Sequence, residues 1–308
     1  MLQFLAKLPN YKPTMTPDQY CQDKAAKSGS SFYYSFLFLP PPQRQAITAL
    51  YAFCREVDDV VDECTDTHVA RIKLQWWREE VGRIFDGTSR HPVGQALAAA
   101  ITTYNLPLEH FLEIINGMEM DLDHQGYASF NDLALYCHCV ASIVGLMSVE
   151  IFGYQDRNTL KYAHDLGMAF QLTNILRDVR EDAMLGRIYL PLDELERFGV
   201  TPDDITQFRT TDKMRELFKF QAQRAHQYYT QAYAHLPDVD RYPQRSGLIM
   251  SAIYLSVLEE IEKDGFNVLE RRISLTPLRK LWIAWRTARH EKNRYKKFGN
   301  NNAKTQRT

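Results

Sequence analysis

Two stretches of the chain combine apolar residues with a narrow stripe of polar residues whose types could hold a divalent cation. In the first stretch, residues 46–62, the polar side chains are 4, 3 and 4 residues apart and are Tyr51, Arg55, Asp58 and Asp62. On an α-helix this spacing places all four on one face. Because most of the other residues are apolar, we predict a largely buried helix whose carboxylates face an interior.

The second stretch, residues 169–182, repeats the pattern. Its polar side chains are 3, 4 and 4 residues apart and are Gln171, Asn174, Asp178 and Asp182. Two buried carboxylates one turn apart repel each other and lose hydration, so the pair needs a compensating cation. One such pair alone would indicate a solvated face, but two pairs on apolar helices favour Mg²⁺, which prefers oxygen ligands and commonly shares its shell with water and substrate phosphates.

Basic residues in or near these segments could hold the phosphate oxygens of such a substrate, arginine by bidentate contact. They are Arg44, Arg55, Lys73, Arg78, Arg177, Arg180 and Arg187. Taken singly, most of them are equally consistent with ordinary surface charges.

The elements that must position these residues are helical. Helix-start signals such as Thr16-Pro17 with Gln19 precede stretches of 3.6-residue periodicity, and no strand-like alternation competes. We predict helices at about 17–27, 42–63, 67–86, 91–103, 107–120, 129–150, 156–182, 211–235, 244–265 and 276–297. With 308 residues, 45% of them hydrophobic, the simplest account is one all-α domain over 1–308, with about 1–15 flexible.

The C-terminal segment, residues 271–308, differs in charge from the rest of the chain. It contains twelve Lys or Arg against the single acid Glu291, although the whole chain has a net charge of −1. Apolar residues recur in it at helical spacing, namely Leu275, Leu278, Leu281, Trp282 and Trp285. We predict a basic amphipathic helix that makes peripheral contact with an anionic membrane, or a helix packed on the core with a solvated basic tail.

Cellular location follows from what the sequence lacks. It has no uninterrupted apolar run of roughly 18 residues, and its N-terminus has no small-residue cleavage pattern of a signal peptide. The five cysteines are odd in number and form no CxxC pair, as expected of reduced thiols. We therefore expect a cytoplasmic protein, with the inner membrane face as an alternative peripheral location, and no nucleic-acid partner.

Both acidic stretches lie in longer segments, SSFYYSFLFLPPPQRQAITALYAFCREVDDVVDE and AFQLTNILRDVREDAMLGRIYLPLDEL. These segments closely resemble the squalene and phytoene synthase family, and the similarity in register extends from about residue 16 to 265. Within the family the resemblance is closest to the bacterial presqualene diphosphate synthase branch of squalene and hopanoid synthesis, and it includes KLQWWREEV, IINGMEMDLD, YCHCVASIVGLMSVEIFGYQD and RSGLIMSAIY.

The resemblance implies an all-α isoprenoid-synthase fold around a central cavity, and it implies site residues. The implied metal ligands, for Mg²⁺ with Mn²⁺ as an alternative, are Asp58, Asp62, Asn174, Asp178 and Asp182. The implied substrate contacts are Ser28, Ser30, Ser31, Phe32, Gln171, Asn174 and Arg177, and the implied catalytic residues are Tyr136, Tyr51 and Arg55. One departure is visible, because Ser28 stands where the family has a histidine.

The reaction implied is the head-to-head joining of two farnesyl diphosphates to presqualene diphosphate, without NADPH in this first step and with downstream squalene-forming enzymes as partners. Squalene, dehydrosqualene or phytoene synthase remain alternatives. A chain-elongating prenyltransferase is echoed by Phe170-Gln171, but the single Asp178 after Arg177 argues against it. A di-iron bundle would need ExxH pairs, which the sequence lacks, and a non-catalytic helical scaffold would leave both acidic stripes unexplained.

Overall fold

A computed structural model describes residues 15–28, 30–123 and 126–305 of the chain, with side chains described up to residue 297. Within these ranges the chain forms fifteen α-helices and one π-helix, and no β-strand. Residues 1–14, which belong to the segment predicted to be flexible, lie outside the described ranges. The all-α fold class predicted from periodicity is confirmed.

The helices in chain order are α1 (Pro17–Lys27), α2 (Ser31–Phe36), α3 (Pro41–Glu63), α4 (Thr67–Phe85), α5 (Pro92–Tyr104), α6 (Leu108–Leu122), α7 (Phe130–Cys137), π1 (His138–Ser142), α8 (Ile143–Phe152), α9 (Asn158–Arg177), α10 (Val179–Met184), α11 (Leu192–Phe198), α12 (Pro202–Thr206), α13 (Asp212–His235), α14 (Arg245–Lys263) and α15 (Pro277–Thr305). The short helices α2, α11 and α12 were not predicted, because five to seven residues are too few to show a period.

Capping side chains define several helix starts. Thr16 and Gln19 form a capping box at the start of α1, and Ser129 with Asp132 does the same for α7. Each box satisfies backbone N–H groups that the first turn leaves without partners. These two sequence signals therefore correspond to real helix ends.

The helix predicted over 156–182 is wrong in one respect, since it breaks at Asp178. This residue has φ −102° and ψ 13° and separates α9 from α10. The backbone N–H of Asp178 still donates to Asn174 (2.8 Å), and that of Asp182 donates to Asp178 (2.9 Å). The acidic stripe therefore continues across a local kink rather than along one regular helix.

Two hydrophobic clusters of buried side chains form the core. One is built mainly from α1 and α3 to α6, the other mainly from α9 to α14, and the partly buried Phe32, Val140 and Leu146 pack against both. Glycine permits close approach where the clusters adjoin, because a Cβ on Gly167 of α9 would lie 2.6 Å from the Cα of Ser142 in π1.

The continuous helical stretch Phe130–Phe152 is long and apolar enough to span a membrane by length and composition alone, with a mean hydropathy of 1.7. Half of an 18-residue apolar window in this stretch is buried inside the protein. Its buried members include Leu133, Cys137 and Met147, which pack in the two clusters. A core helix of this kind passes the same test as a spanning helix.

Candidate active site

One cavity of about 530 Å³ lies between the two hydrophobic clusters. Every site residue expected from the sequence lines it, namely Ser28, Ser30, Ser31, Phe32, Tyr51, Arg55, Asp58, Asp62, Tyr136, Gln171, Asn174, Arg177, Asp178 and Asp182. Residues from distant parts of the chain thus line one cavity.

The two acidic segments meet directly. The guanidinium of Arg187, just after α10, binds the Asp62 carboxylate of α3 at 2.8 Å and donates to the carbonyl of Val61 at 3.1 Å. Residues 125 positions apart in sequence are therefore within salt-bridge distance. The carboxylates of both segments face one space.

On α3, two neighbouring carboxylates differ in how far their charge is compensated. Asp59 is neutralised by Arg55 (2.6 Å) and by Lys24 (2.8 Å) and does not line the cavity. Asp58 lines the cavity and contacts Arg55 at 2.5 Å, yet burial and then repulsion by Asp62 raise its pKa to about 7. The charge of Asp58 is therefore incompletely compensated.

The second acidic segment shows the same contrast. Burial alone would raise the pKa of Asp178, but hydrogen bonds from Arg177 (2.8 Å) and Arg272 (2.7 Å) outweigh it and hold that pKa below its usual value. Burial followed by repulsion from Asp178 raises the pKa of Asp182 to about 8. One more positive charge would stabilise this end of the cavity at neutral pH.

Asp121, at the end of α6, is a cavity carboxylate that sequence reasoning did not select. It accepts hydrogen bonds from the hydroxyls of Tyr136 and Tyr189, each at 2.9 Å. Burial raises its pKa to about 6, and it lies within electrostatic reach of Asp62. From the sequence, Asp121 between Glu119 and Asp123 at a helix end looks like one of several solvated acids, so the signal for it was its place in the segment IINGMEMDLD.

The donor set of the cavity fits a hard cation such as Mg²⁺. Besides Asp58 and Asp182, whose pKa values are raised, the site contains the side-chain oxygen of Asn174, which is buried and has no hydrogen-bond partner. Within the described ranges, no three His, Cys, Asp or Glu side chains converge on one point. An ion held here would need water and phosphate oxygens to complete its shell, which is the usual situation for Mg²⁺.

The segment that contains the implied substrate contacts Ser28, Ser30, Ser31 and Phe32 lies against α3 and α9. The Tyr51 hydroxyl donates to the hydroxyl of Ser28 at 2.9 Å. The ring of Phe32 lies 5.8 Å from that of Tyr51 and 6.3 Å from that of Phe170. These contacts make the rim of the cavity partly aromatic, and they place Ser28 beside Tyr51.

The cavity is polar at one end and apolar at the other. Ile47 and Leu50 line it from the first half of α3, before Asp58, and Leu166 and Phe170 line it from α9, before Asn174. Ile47 precedes Asp58 by a helical length of about 16 Å. A long apolar chain could therefore lie in the apolar part of the cavity, with a polar head group at the end that contains the carboxylates and arginines.

Of the seven basic residues considered from the sequence, Arg55, Arg177 and Arg187 line the cavity. Others have partners elsewhere, since Arg78 binds Glu119 at 2.6 Å and the guanidinium of Arg180 lies over the ring of Phe208. Two cavity cations were missed, Arg272 and Lys280, because both lie about a hundred residues beyond the second acidic segment.

Comparison with known proteins identifies the family. Residues 25–279 match the family model described as squalene/phytoene synthase. The chain belongs to the squalene/phytoene synthase family. Members of this family are prenyltransferase-type enzymes that act on prenyl diphosphates.

Sequence relatives of this family member include phytoene synthases. The chain is 36% identical to phytoene synthase of Arthrospira platensis, covering 91% of this chain and 96% of that protein. It is also 36% identical to the chloroplastic phytoene synthase of Daucus carota, covering 85% of this chain and 67% of that protein.

Solved structures of the family share the fold. Squalene synthase HpnC from Alicyclobacillus acidocaldarius has a TM-score of 0.73 at 31% identity, covering 82% of this chain and 95% of that one. A dehydrosqualene synthase in complex with ligand has a TM-score of 0.79 at 26% identity, covering 90% and 97%. The isoprenoid-synthase fold that the sequence resemblance implied is confirmed.

Proposed function

We propose that this protein joins two identical allylic prenyl diphosphates head to head. The observation that carries the proposal is the Arg187–Asp62 contact, because it brings the two acidic segments to one polar cavity end. The apolar remainder of the cavity suits the hydrocarbon chains. Family membership supports the same class of substrate.

Asp58, Asp62, Asp178, Asp182 and Asn174 would hold Mg²⁺, or Mn²⁺, together with the diphosphates. Bound there, the ions would supply electrostatic stabilisation of the diphosphate leaving group. The chain's own cations act on the same charge: Arg55, Arg177, Arg187, Arg272 and Lys280 all line the cavity and can bind phosphate oxygens.

In the reaction, the C1–O bond of one substrate breaks, diphosphate leaves and an allylic cation forms. The C2=C3 double bond of the second substrate attacks this cation, and loss of one proton closes a cyclopropane ring. The apolar side chains of the cavity exclude water from the cation. No external oxidant or reductant is needed for this step.

Tyr136 and Asp121 form the protein's candidate route for that proton. Burial raises the pKa of Tyr136 well above its usual value, so the phenol is neutral and acts through its hydrogen bond to Asp121. The Tyr136 oxygen can accept the substrate proton while the phenol passes its own proton to Asp121. The released diphosphate is the alternative base, since it stays beside the same cavity end.

Phytoene formation from two geranylgeranyl diphosphates is the product assignment with the stronger support. The curated relatives at 36% identity are phytoene synthases, and they match over most of this chain. This alternative fits the comparisons better than presqualene diphosphate does. It requires the cavity to accept two twenty-carbon chains and to carry the cyclopropyl intermediate onward.

Presqualene diphosphate from two farnesyl diphosphates is the second candidate. It is supported by the detailed motif resemblance to that bacterial branch and by the structural similarity to enzymes named squalene and dehydrosqualene synthase. Release at this stage would leave reduction or hydrolysis of the cyclopropylcarbinyl diphosphate to partner enzymes.

Mass spectrometry of product mixtures decides between the candidates. Purified protein is incubated with Mg²⁺ and either farnesyl or geranylgeranyl diphosphate, each with and without NADPH. Phytoene from geranylgeranyl diphosphate supports the first candidate, and a thirty-carbon diphosphate from farnesyl diphosphate, unchanged by NADPH, supports the second. No condensation product from either substrate would contradict the proposed function.

A further inference from the structure

The C-terminal helix α15 has one face that packs on the protein. Ile283 and Ala284 are buried against the core, together with Leu275 just before the helix. Glu291 is also buried and is neutralised by Arg241, which binds it at 2.8 Å. This inner face fixes how α15 is oriented and therefore which side chains point outward.

The outward face of α15 starts with large apolar side chains. Leu278 is 79% exposed, Trp282 is 53% exposed and Trp285 is 51% exposed, and Leu281 beside them is 41% exposed. Their spacing of three, four and seven residues places them on one side of the helix. These four side chains form an exposed apolar strip, which we call the outer face.

The outer face continues into basic residues. Arg289, Lys292 and Lys296 follow Trp285 at the same helical spacing and are exposed. The guanidiniums of Arg286 and Arg289 lie 4.8 Å and 5.4 Å from the ring centroids of Trp282 and Trp285. Since the one acid between residues 271 and 297 is the buried Glu291, the positive charge of this face is not offset locally.

We propose that the outer face of α15 docks the protein on an anionic phospholipid bilayer. Indole rings favour the interface between headgroups and acyl chains, and leucines beside them enter the apolar boundary. Exposed Arg and Lys gain roughly 1 kcal/mol each near an anionic surface. This inference does not depend on which prenyl diphosphates the protein uses.

The docking element is also part of the cavity. Arg272, Leu275 and Lys280 line the cavity, and Arg272 binds Asp178 at 2.7 Å. Leu185, which is 60% exposed, lines it as well. One segment therefore carries both the bilayer contact and a wall of the site, so docking would hold the cavity near the membrane, where prenyl chains partition.

A second copy of this chain fits the outer face less well than a bilayer. Four apolar side chains cover far less than the roughly 800 Å² per partner that a stable dimer buries. Pairing two outer faces would also bring Arg286, Arg289, Lys292 and Lys296 of each copy together, and like charges repel. An anionic bilayer fits both parts of the outer face, since its acyl boundary accepts the apolar side chains and its headgroups attract the basic residues.

Co-sedimentation with liposomes tests the proposal on the full chain. The probe is phosphatidylglycerol-containing vesicles, compared with vesicles of phosphatidylcholine alone. We expect Trp282→Ala/Trp285→Ala to lower partitioning at least ~10-fold. The matched control is Ile72→Ala/Leu135→Ala, which removes two other exposed apolar side chains, 51% and 58% exposed, from α4 and α7 and should bind as wild type.

Charge is tested separately. Arg289→Gln/Lys292→Gln/Lys296→Gln should lower binding to anionic vesicles by on the order of 100-fold, and raised salt should have the same effect on wild type. Lys161→Gln/Lys213→Gln/Lys219→Gln, which removes three exposed cations from α9 and α13, is the control and should change binding little.

Equal binding by the tryptophan variant and its control would overturn the proposal, as would wild-type binding that is the same with and without anionic lipid. A variant that loses a dimer in sedimentation velocity, with lipid binding intact, would assign the outer face to a second copy instead. Because no substrate is present, failure here leaves the proposed condensation unaffected. The thermal midpoint of each variant checks that it is folded.

Discussion

At the scale of single residues, the carboxylates in and beside the cavity are of two kinds, those already neutralised and those that need a cation. Asp59 and Asp178 each have two cationic partners. Asp58 and Asp182 have pKa values raised to about 7 and about 8, with burial as the main cause. The second pair is therefore where a divalent ion would contribute most.

Replacing one of these carboxylates should stop turnover without unfolding the protein. Asp58→Asn is expected to reduce kcat by about 100-fold or more, because it removes the negative charge of a carboxylate that the proposed metal site uses. The steady-state rate with Mg²⁺ is the measurement. Glu63→Gln, an exposed acid on the same helix, is the control, and full activity of Asp58→Asn would remove the metal role.

Asp121 should matter through proton transfer. Asp121→Asn keeps a hydrogen-bond partner for Tyr136 and removes the proton acceptor, so we expect turnover to fall by about 100-fold while the Mg²⁺ half-saturation changes little. Asp123→Asn, an exposed acid near the end of α6 that pairs with Arg71, is the control. Wild-type turnover in Asp121→Asn would favour released diphosphate as the base.

The raised pKa values give the ligand-free protein a defined pH dependence. Asp58 and Asp182 are protonated in the folded state below about pH 7 and about pH 8. The cost of burying their charges and their repulsion by Asp62 and Asp178 therefore disappear as the pH falls, and stability increases. We expect the thermal midpoint without Mg²⁺ to increase as the pH is lowered from about 8.5 to about 6.5. Asp178 has a lowered pKa, so its contribution to stability is lost as the pH falls, but this loss occurs only at acidic pH below this window.

The measurement is a thermal melt series in EDTA, with Asp58→Asn/Asp182→Asn as the comparison. The double variant should show a flatter dependence on pH, since the two groups responsible are gone. Metal binding should weaken as the pH falls, because protonated carboxylates bind Mg²⁺ poorly. The Mg²⁺ concentration at half-saturation should therefore increase. A wild-type midpoint that decreases as the pH is lowered through this window would contradict this account.

At the scale of elements, the site depends on a close contact between α9 and the segment before α8. A Cβ on Gly167 would lie only 2.6 Å from the backbone of Ser142. A Cβ on Gly145 of α8 would likewise lie 2.6 Å from the carbonyl oxygen of Ala163. The π-helix lies at this contact. Close approach here positions Tyr136, on one side, relative to Asn174, on the other.

Gly167→Ala is therefore expected to destabilise the protein by roughly 1–3 kcal/mol, because backbone atoms must move to admit the methyl group. Gly82→Ala is the matched control, since Gly82 is helical and nothing lies within 4 Å of its Cβ position. Gly82→Ala should be neutral or stabilising by about 1 kcal/mol through helix propensity. Urea unfolding of both variants tests the pair, and equal effects would exclude a packing role for Gly167.

At the scale of the whole molecule, the cavity joins the two hydrophobic clusters. The first acidic stripe lies on α3 and the second on α9 and α10, which belong to different clusters. A ligand bound to both stripes would therefore link the two clusters. Binding free energy of this kind adds to the stability of the folded chain.

We expect the thermal midpoint to increase when Mg²⁺ and inorganic diphosphate are both present, and to change much less with either alone. The reason is that no three acidic, His or Cys side chains converge among the described residues, so phosphate oxygens are needed to complete the shell. Differential scanning calorimetry at fixed pH measures it. An equal increase with Mg²⁺ alone would indicate a site made by protein ligands only.

The sequence by itself determined most of the longer helices, the two acidic stripes and the family. Helical periodicity and caps are local, so α1 and α3 were predicted nearly to the residue, and the spacing of Asp58 and Asp62 was enough to place them on one helix face. The remaining site residues were implied by the resemblance of the motifs to the family, and all of these residues line the cavity.

Only the tertiary structure decided which partner each charge has. Arg272 reaches Asp178 across 94 residues, and Tyr189 reaches Asp121 across 68, and no local pattern encodes such contacts. The kink at Asp178 and the exposure of Trp282 and Trp285 were undetermined for the same reason. Helical periodicity shows which residues share a face, but what that face meets is set by the packing of helices distant in sequence.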